Sequence, residues 1–131
     1  MEDSVFTKII KGEIPAHRVY EDEKTIAIMD ISPIQPGHVL VIPKTQVEDF
    51  YNLSDEDYTA LFKTVKKVAS KLKAVFPAKK KIAMQIEGLD VPHVHVTLFP
   101  IDNADQFRAP NYASEPDHRA LGEMAAKLKI S

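Results

Sequence analysis

The residues with the most chemical potential in this chain are histidines. The segment Pro92-His93-Val94-His95-Val96-Thr97-Leu98-Phe99 alternates polar and apolar side chains. Read as a strand, it puts His93, His95 and Thr97 on one face and Val94, Val96 and Leu98 on the other. Two imidazoles on one polar face suit nucleophilic catalysis, acid–base catalysis or metal binding near neutral pH. His38 follows Pro36-Gly37 and opens an apolar run, Val39-Leu40-Val41-Ile42. If that run neighbours the last strand, His38 joins the pair. His17 and His118 lie in polar segments and are expected to be peripheral.

The His-x-His pattern leaves several readings open. One is a solvated strand face that carries histidine by chance. Another is a metal centre, since two strand histidines with a third are a known zinc-ligand set and Glu87 and Asp90 stand close by. The third is metal-free nucleophilic chemistry. Asp30 ends a strand and can accept hydrogen bonds from sugar hydroxyls; the plainer reading is an Asx turn with Ser32. Lys79-Lys80-Lys81 reads as a solvated turn, and Gly88 alone is no phosphate-cradling loop.

The elements that must position these residues can be read from pattern. The chain has 131 residues, 44% of them hydrophobic, enough for one core and too few for two. Residues 1–131 are therefore expected to form a single domain. Val5 to Lys11 is expected to be a short helix, broken by Gly12. Strands are expected at Val19-Tyr20, Thr25 to Met29, Val39 to Ile42, Ile82 to Ile86 and His93 to Phe99, the last closed by Pro100. A long helix begins at its cap Ser54, carries an apolar stripe through Leu61, Val65, Val68 and Leu72, and stops at Pro77. A polar stretch runs to about Ser114, and a final helix covers roughly Asp117 to Lys129. Clustered strands that do not alternate with helices predict an α+β domain with a mostly antiparallel sheet.

Charge and composition exclude several classes. There are 17 basic and 19 acidic residues, for a net charge of -2, so bulk electrostatic binding of DNA, RNA or an anionic membrane is not expected. With no cysteine, disulfides and thiolate metal sites are excluded. The first residues lack signal-peptide character, and no apolar run nears the ~20 residues of a membrane helix. A soluble, cytoplasmic protein is the expectation.

Four stretches together resemble one family. They are Phe6-Thr7-Lys8-Ile9-Ile10-Lys11-Gly12-Glu13-Ile14-Pro15-Ala16; Val19-Tyr20-Glu21-Asp22; Asp30-Ile31-Ser32-Pro33 with Pro36 to Lys44; and Val91 to Val96. With them the chain resembles the histidine triad (HIT) family, in its nucleotide-binding, nucleoside-phosphoramidate hydrolase branch. The motif-bearing core is about residues 4–101, followed by a tail and helix over 102–131. The resemblance implies a five-stranded antiparallel sheet with a long helix and a C-terminal helix, paired as a homodimer. It implies a purine nucleotide with its α-phosphate over the histidines, and no cofactor. His95 matches the nucleophile, which would form a nucleotidyl-histidine that water hydrolyses. His93 and His38 match supporting histidines. Phe6, Ile9, Ile14, Ile28 and Ile31 match the base pocket, and Asp30 the ribose-binding residue.

The chain also departs from that family. Thr97 stands where the third motif histidine is expected. Its hydroxyl can donate a hydrogen bond to phosphate but cannot carry charge. Related branches accept glutamine there. The usual Gly-Gln before the motif is replaced by Leu89-Asp90, and Asp90 is counted with the expected substrate-binding residues. An asparagine expected at the end of the preceding strand is absent, with Gln85 and Ile86 there. Many relatives hold a structural zinc with two cysteines and a histidine. Here those positions read Ser4, Thr7 and Gln46, so no structural zinc is expected. Three functions follow: a phosphoramidase or related nucleotide hydrolase, a non-catalytic purine-nucleotide-binding module, or a metal-dependent hydrolase using His38, His93 and His95.

Overall fold

A computed structural model describes residues 2–108 and 115–131. The polar stretch 102–114 is described only to residue 108, where it contains a short helix the sequence pattern did not announce. The elements are α1 (Val5–Ile10), β1 (Arg18–Glu21), β2 (Thr25–Met29), β3 (Val39–Pro43), a 3-10 turn at Phe50–Asn52, α2 (Asp55–Val75), β4 (Lys81–Gln85), β5 (Val96–Ile101), α3 (Ala104–Arg108) and α4 (His118–Leu128). The five strands form one antiparallel sheet in the order β1-β2-β3-β5-β4. The α+β architecture is the one expected.

β2 and β3 are buried along their whole length, which is why they read as unbroken apolar runs. Ala27, Met29, Val39 and Val41 meet Leu61, Val65, Val68 and Leu72 of α2 and Leu121 and Leu128 of α4. Ile26, Ile28, Leu40 and Ile42 point to the opposite face and pack under Phe6 and Ile9 of α1. One face of the sheet is thus closed by two helices. The other is covered only by the single turn-and-a-half of α1 and the loops around it, and there the sheet is left partly open.

Both main helices start where a polar side chain caps them. Ser54 Oγ accepts the Asp57 N–H, and Asp117 accepts the Ala120 N–H. α1 is capped the same way, by Ser4 Oγ on the Thr7 N–H at 3.0 Å. Such a cap contributes about 1 kcal/mol, a large share for a helix of six residues that could not stand alone.

The last strand differs from expectation at both ends. It begins at Val96, so His93 and His95 precede it rather than share its face. The backbone before it is diverted: His93 N–H closes a tight turn on Val91 C=O, and Val94 N–H bonds Val47 C=O in the loop after β3. Those bonds take the place of a strand ladder. The strand also continues through Pro100, paired with Ile82 of β4. β3 pairs β5 no further than Leu98, so beyond it β5 has an open side on which proline is tolerated.

Candidate active site

A pocket of about 580 Å³ opens on the α1 face of the sheet. That volume lies within the range of small-molecule sites, about 300–1,000 Å³. Its floor is set by register. Ile28 pairs with Leu40, Leu40 with Thr97, and Thr97 with Gln85, so these four side chains form a row across β2, β3, β5 and β4. All four line the pocket. Phe6, Ile9 and Ile14 form its apolar wall. The 30–34 loop and the short 86–91 connection, with Glu87 and Asp90, complete the rim.

His95 stands at the pocket with its ring held in one orientation. Its Nδ1 lies 2.8 Å from the His93 carbonyl oxygen. A carbonyl only accepts, so Nδ1 carries the hydrogen, and in the neutral ring Nε2 keeps its lone pair. The Phe6 ring meets His95 edge-on, centroids 4.9 Å apart. The arrangement leaves a nucleophilic nitrogen on a ring that cannot easily rotate.

His93 is fully buried and does not line the pocket. Its Nε2 donates to Pro43 C=O at 2.8 Å, and its Nδ1 lies 2.7 Å from Ser4 Oγ. Burial pushes its pKa below the ordinary 6.5, against the pull of the Pro43 carbonyl, and nearby His95 lowers it further. His93 is therefore neutral at pH 7, and Ser4 Oγ–H is the donor to Nδ1.

His38 is also buried, but it faces the pocket. Its Nδ1 accepts the Ile34 N–H at 3.0 Å, which places its hydrogen on Nε2. Among the described residues that Nε2 has no hydrogen-bond partner, and it lies 3.4 Å from Asp30 Oδ2. Burial pushes the His38 pKa below 6.5; the Asp30 carboxylate opposes this, and His95 adds to it. A buried donor without an acceptor costs free energy, about 1–3 kcal/mol, unless a ligand meets it. Asp30 shows both features considered from sequence. Oδ1 accepts the Ser32 N–H at 2.7 Å in an Asx turn, and Oδ2 is left towards His38 and the pocket.

The structure gathers nearly all of the expected site residues. His95, His38, Thr97, Phe6, Ile9, Ile14, Ile28, Asp30, Ile31 and Asp90 line the one pocket. His93 stands behind it. His17 and His118 lie elsewhere and bond each other at 2.8 Å. Leu40 is a lining residue that the sequence reading does not single out, while it names Gln85 only as standing where an asparagine is expected and Glu87 only as a carboxylate near the histidines. Leu40 and Gln85 enter through strand register, which no single segment of sequence displays. A second cavity, of about 260 Å³, lies between residues 31–37 and α4 and contains no histidine.

The positions at which the resemblance puts zinc ligands do not fit a metal. Ser4, Thr7 and Gln46 are hard, neutral oxygen and amide groups, poor zinc donors. They are also engaged with one another: Gln46 Oε1 accepts Thr7 Oγ1–H at 2.6 Å and the Ser4 N–H at 2.8 Å. Among the described residues, no three His, Cys, Asp or Glu side chains are grouped to hold a metal ion. With both nitrogens of His93 bonded inside the protein, the ligand set His38, His93 and His95 does not converge.

Comparison with known proteins agrees with this picture. The HIT domain pattern matches residues 11–104. The chain is 35% identical over 133 residues to adenosine 5′-monophosphoramidase of Schizosaccharomyces pombe, covering 95% of this chain and 98% of that protein. Its fold is similar to that of a Hit-like protein involved in cell-cycle regulation from Bartonella henselae, with a TM-score of 0.84, 31% identity and coverage of 97% and 94%. A zinc-bound histidine triad family protein from Mycobacterium smegmatis gives a TM-score of 0.75 at 29% identity, with coverage of 95% and 91%. The matched span takes in β1 to β5 and both pocket histidines, His38 and His95. The chain belongs to the HIT domain family.

Proposed function

We propose that this protein is a nucleotide hydrolase that cleaves purine nucleoside 5′-phosphoramidates, or related nucleotide conjugates, at the α-phosphate. The observation that carries the reading is the His95 ring, fixed by its Nδ1–H to the His93 carbonyl so that Nε2 is free at a pocket with an apolar wall. His95 Nε2 attacks the α-phosphorus. The P–N bond breaks, and the amine leaves with a proton relayed from solvent at the pocket mouth. Water then attacks the phosphorus of the nucleotidyl-histidine, releasing nucleoside monophosphate and returning neutral His95. His38 Nε2–H and the Thr97 hydroxyl donate to phosphoryl oxygens as charge gathers on them. Phe6, Ile9, Ile14, Ile28 and Ile31 enclose the base, Asp30 accepts from the ribose, and Asp90 sits at the leaving-group end. The adenosine 5′-monophosphoramidase relative supports the substrate class.

We read the working unit as a homodimer. β4 is an edge of the sheet, with Met84 exposed on it, and offers a surface for a second copy. No helix among the described residues is long and apolar enough to cross a membrane. A cytoplasmic location, without nucleic-acid partners, is part of the same proposal.

Incubation with adenosine 5′-phosphoramidate tests the reading. The protein is expected to release AMP. Thr97 favours a second reading, a nucleotide-binding module without turnover, because it removes one imidazole from the site. Purine-nucleotide binding by calorimetry, with no turnover of any phosphoramidate or dinucleoside polyphosphate, would establish that reading instead.

A further inference from the structure

Ser4, Thr7 and Gln46 form a hydrogen-bonded cluster whose end point is His93. Its shortest contacts give one direction to each proton. Pro43 C=O accepts from His93 Nε2–H at 2.8 Å, so neutral His93 accepts at Nδ1. Ser4 Oγ is the donor, at 2.7 Å. Having donated, Ser4 Oγ accepts the Thr7 N–H at 3.0 Å. Thr7 Oγ1–H is directed to Gln46 Oε1 at 2.6 Å, which also takes the Ser4 N–H at 2.8 Å. Gln46 Nε2–H then donates to Glu2 C=O at 2.8 Å. Two longer approaches lie inside the same cluster, Ser4 Oγ to Thr7 Oγ1 at 3.3 Å and Thr7 Oγ1 to His93 Nδ1 at 3.4 Å, and the shorter contacts set the path. Ser4 is buried with the ring it serves.

The cluster ties three separate segments together: the start of α1, the loop after β3 and the segment preceding β5. α1 also carries Phe6, which contacts both imidazoles. Beyond His93, the path continues through its own carbonyl to His95 Nδ1–H.

We propose that Ser4, backed by Thr7 and Gln46, is a metal-free positioning device that fixes the His93 ring and through it the orientation and tautomer of His95. A related fold, the Mycobacterium smegmatis protein, is zinc-bound. In this chain a directional hydrogen-bond network ties α1 to the histidine segment. Its output is a His95 whose Nε2 lone pair is held towards the pocket. The benefit for turnover rests on the phosphoramidase reading above; the effect on the two imidazoles does not.

The experiment therefore has a spectroscopic arm and a kinetic arm. Long-range proton–nitrogen NMR of the ¹⁵N-histidine-labelled full chain reads the tautomers of His93 and His95. Wild type is expected to show His93 protonated at Nε2 and His95 at Nδ1. Ser4→Ala is expected to shift the His93 Nδ1 resonance and to admit a second His95 tautomer, with backbone amide resonances in α2 and α4 unchanged. Turnover of adenosine 5′-phosphoramidate should fall about tenfold in kcat, with KM within about twofold. Ser4→Thr, which keeps the hydroxyl, should restore both readouts. Exhaustive chelation should change neither.

Unchanged His93 and His95 resonances in Ser4→Ala would overturn the proposal, as would stoichiometric zinc in the purified protein. Should wild type prove inactive while Ser4→Ala still alters the His95 tautomer, the phosphoramidase reading fails and the positioning device stands. Should Ser4→Ala fail to fold, Thr7→Val and Gln46→Leu take its place. Thr7→Val removes the hydroxyl that donates to Gln46, and Gln46→Leu removes the Oε1 acceptor that Thr7 Oγ1–H and the Ser4 N–H share. Both are expected to give the same resonance shifts at smaller amplitude. No shift in either overturns the proposal.

Discussion

His93 and His38 are both buried imidazoles held below their ordinary pKa, yet the protein treats them in opposite ways. His93 has a partner on each nitrogen, Ser4 on one side and the Pro43 carbonyl on the other. Among the described residues His38 is hydrogen-bonded on Nδ1 only, and its Nε2–H, 3.4 Å from Asp30 Oδ2, makes no hydrogen bond beside the pocket. A saturated buried imidazole contributes rigidity. An unsaturated one carries an unmet donor that a ligand can satisfy. On the proposed function, the difference separates a residue that holds the site from one that would meet the substrate, whereas the family resemblance gives the two the same supporting role.

Substitutions at the two positions should therefore diverge. His93→Ala is expected to cost stability most, about 3–4 kcal/mol by urea denaturation, because it leaves a cavity and strips partners from Ser4 and Pro43. His38→Ala is expected to act mainly on turnover, lowering kcat/KM about 100-fold, the usual order for one lost donor to a transition-state oxygen. Comparable turnover losses with no stability difference would erase the distinction.

Asp30→Asn is expected to raise KM about tenfold with little change in kcat, since it would weaken the proposed ribose contact, which ground and transition states would share. Thr97→His places an imidazole beside the same oxygens. A roughly fivefold gain in kcat, with lost binding no larger than twofold, would show that Thr97 limits the rate. A fall in kcat would show that the pocket has adapted around the hydroxyl.

Acid provides the mildest contrast. Both histidines have folded-state pKa values lowered from 6.5, so below that pH the unfolded chain takes up protons that the folded one refuses. Their contribution to stability is full above about 6.5 and is lost as pH falls towards the lowered folded values. Thermal melts from pH 7.5 to 5 should show Tm dropping. A smaller drop is expected in His93→Gln, which cannot be protonated.

How far sequence could foresee this depends on which physical signal each residue leaves. β2 and β3 are legible because burial on both faces writes an unbroken apolar run. α2 is legible from its capping Ser54 and its stripe. The start of β5 is not, because His93-Val94-His95 alternates like a strand while the Val94 N–H goes to Val47 in a loop. The row Ile28, Leu40, Thr97 and Gln85 depends on register across four strands, and alternation within one strand does not contain it. Ser4 reads in sequence only as a missing ligand. Its bond to His93 spans 89 positions, and neither end advertises the other. The pocket histidines were legible because their residue type carries the chemistry.

The proposed reaction requires His95 to act as a nucleophile, and a trapped intermediate tests that most directly. The protein is mixed with adenosine 5′-phosphoramidate, quenched within the first turnover and analysed by intact mass and peptide mapping. A single adenylyl group on His95, absent from His95→Ala, which should also lose at least about 1,000-fold in kcat, is the predicted result. AMP release from His95→Ala at the wild-type rate, or an adenylyl group on another residue, would contradict it.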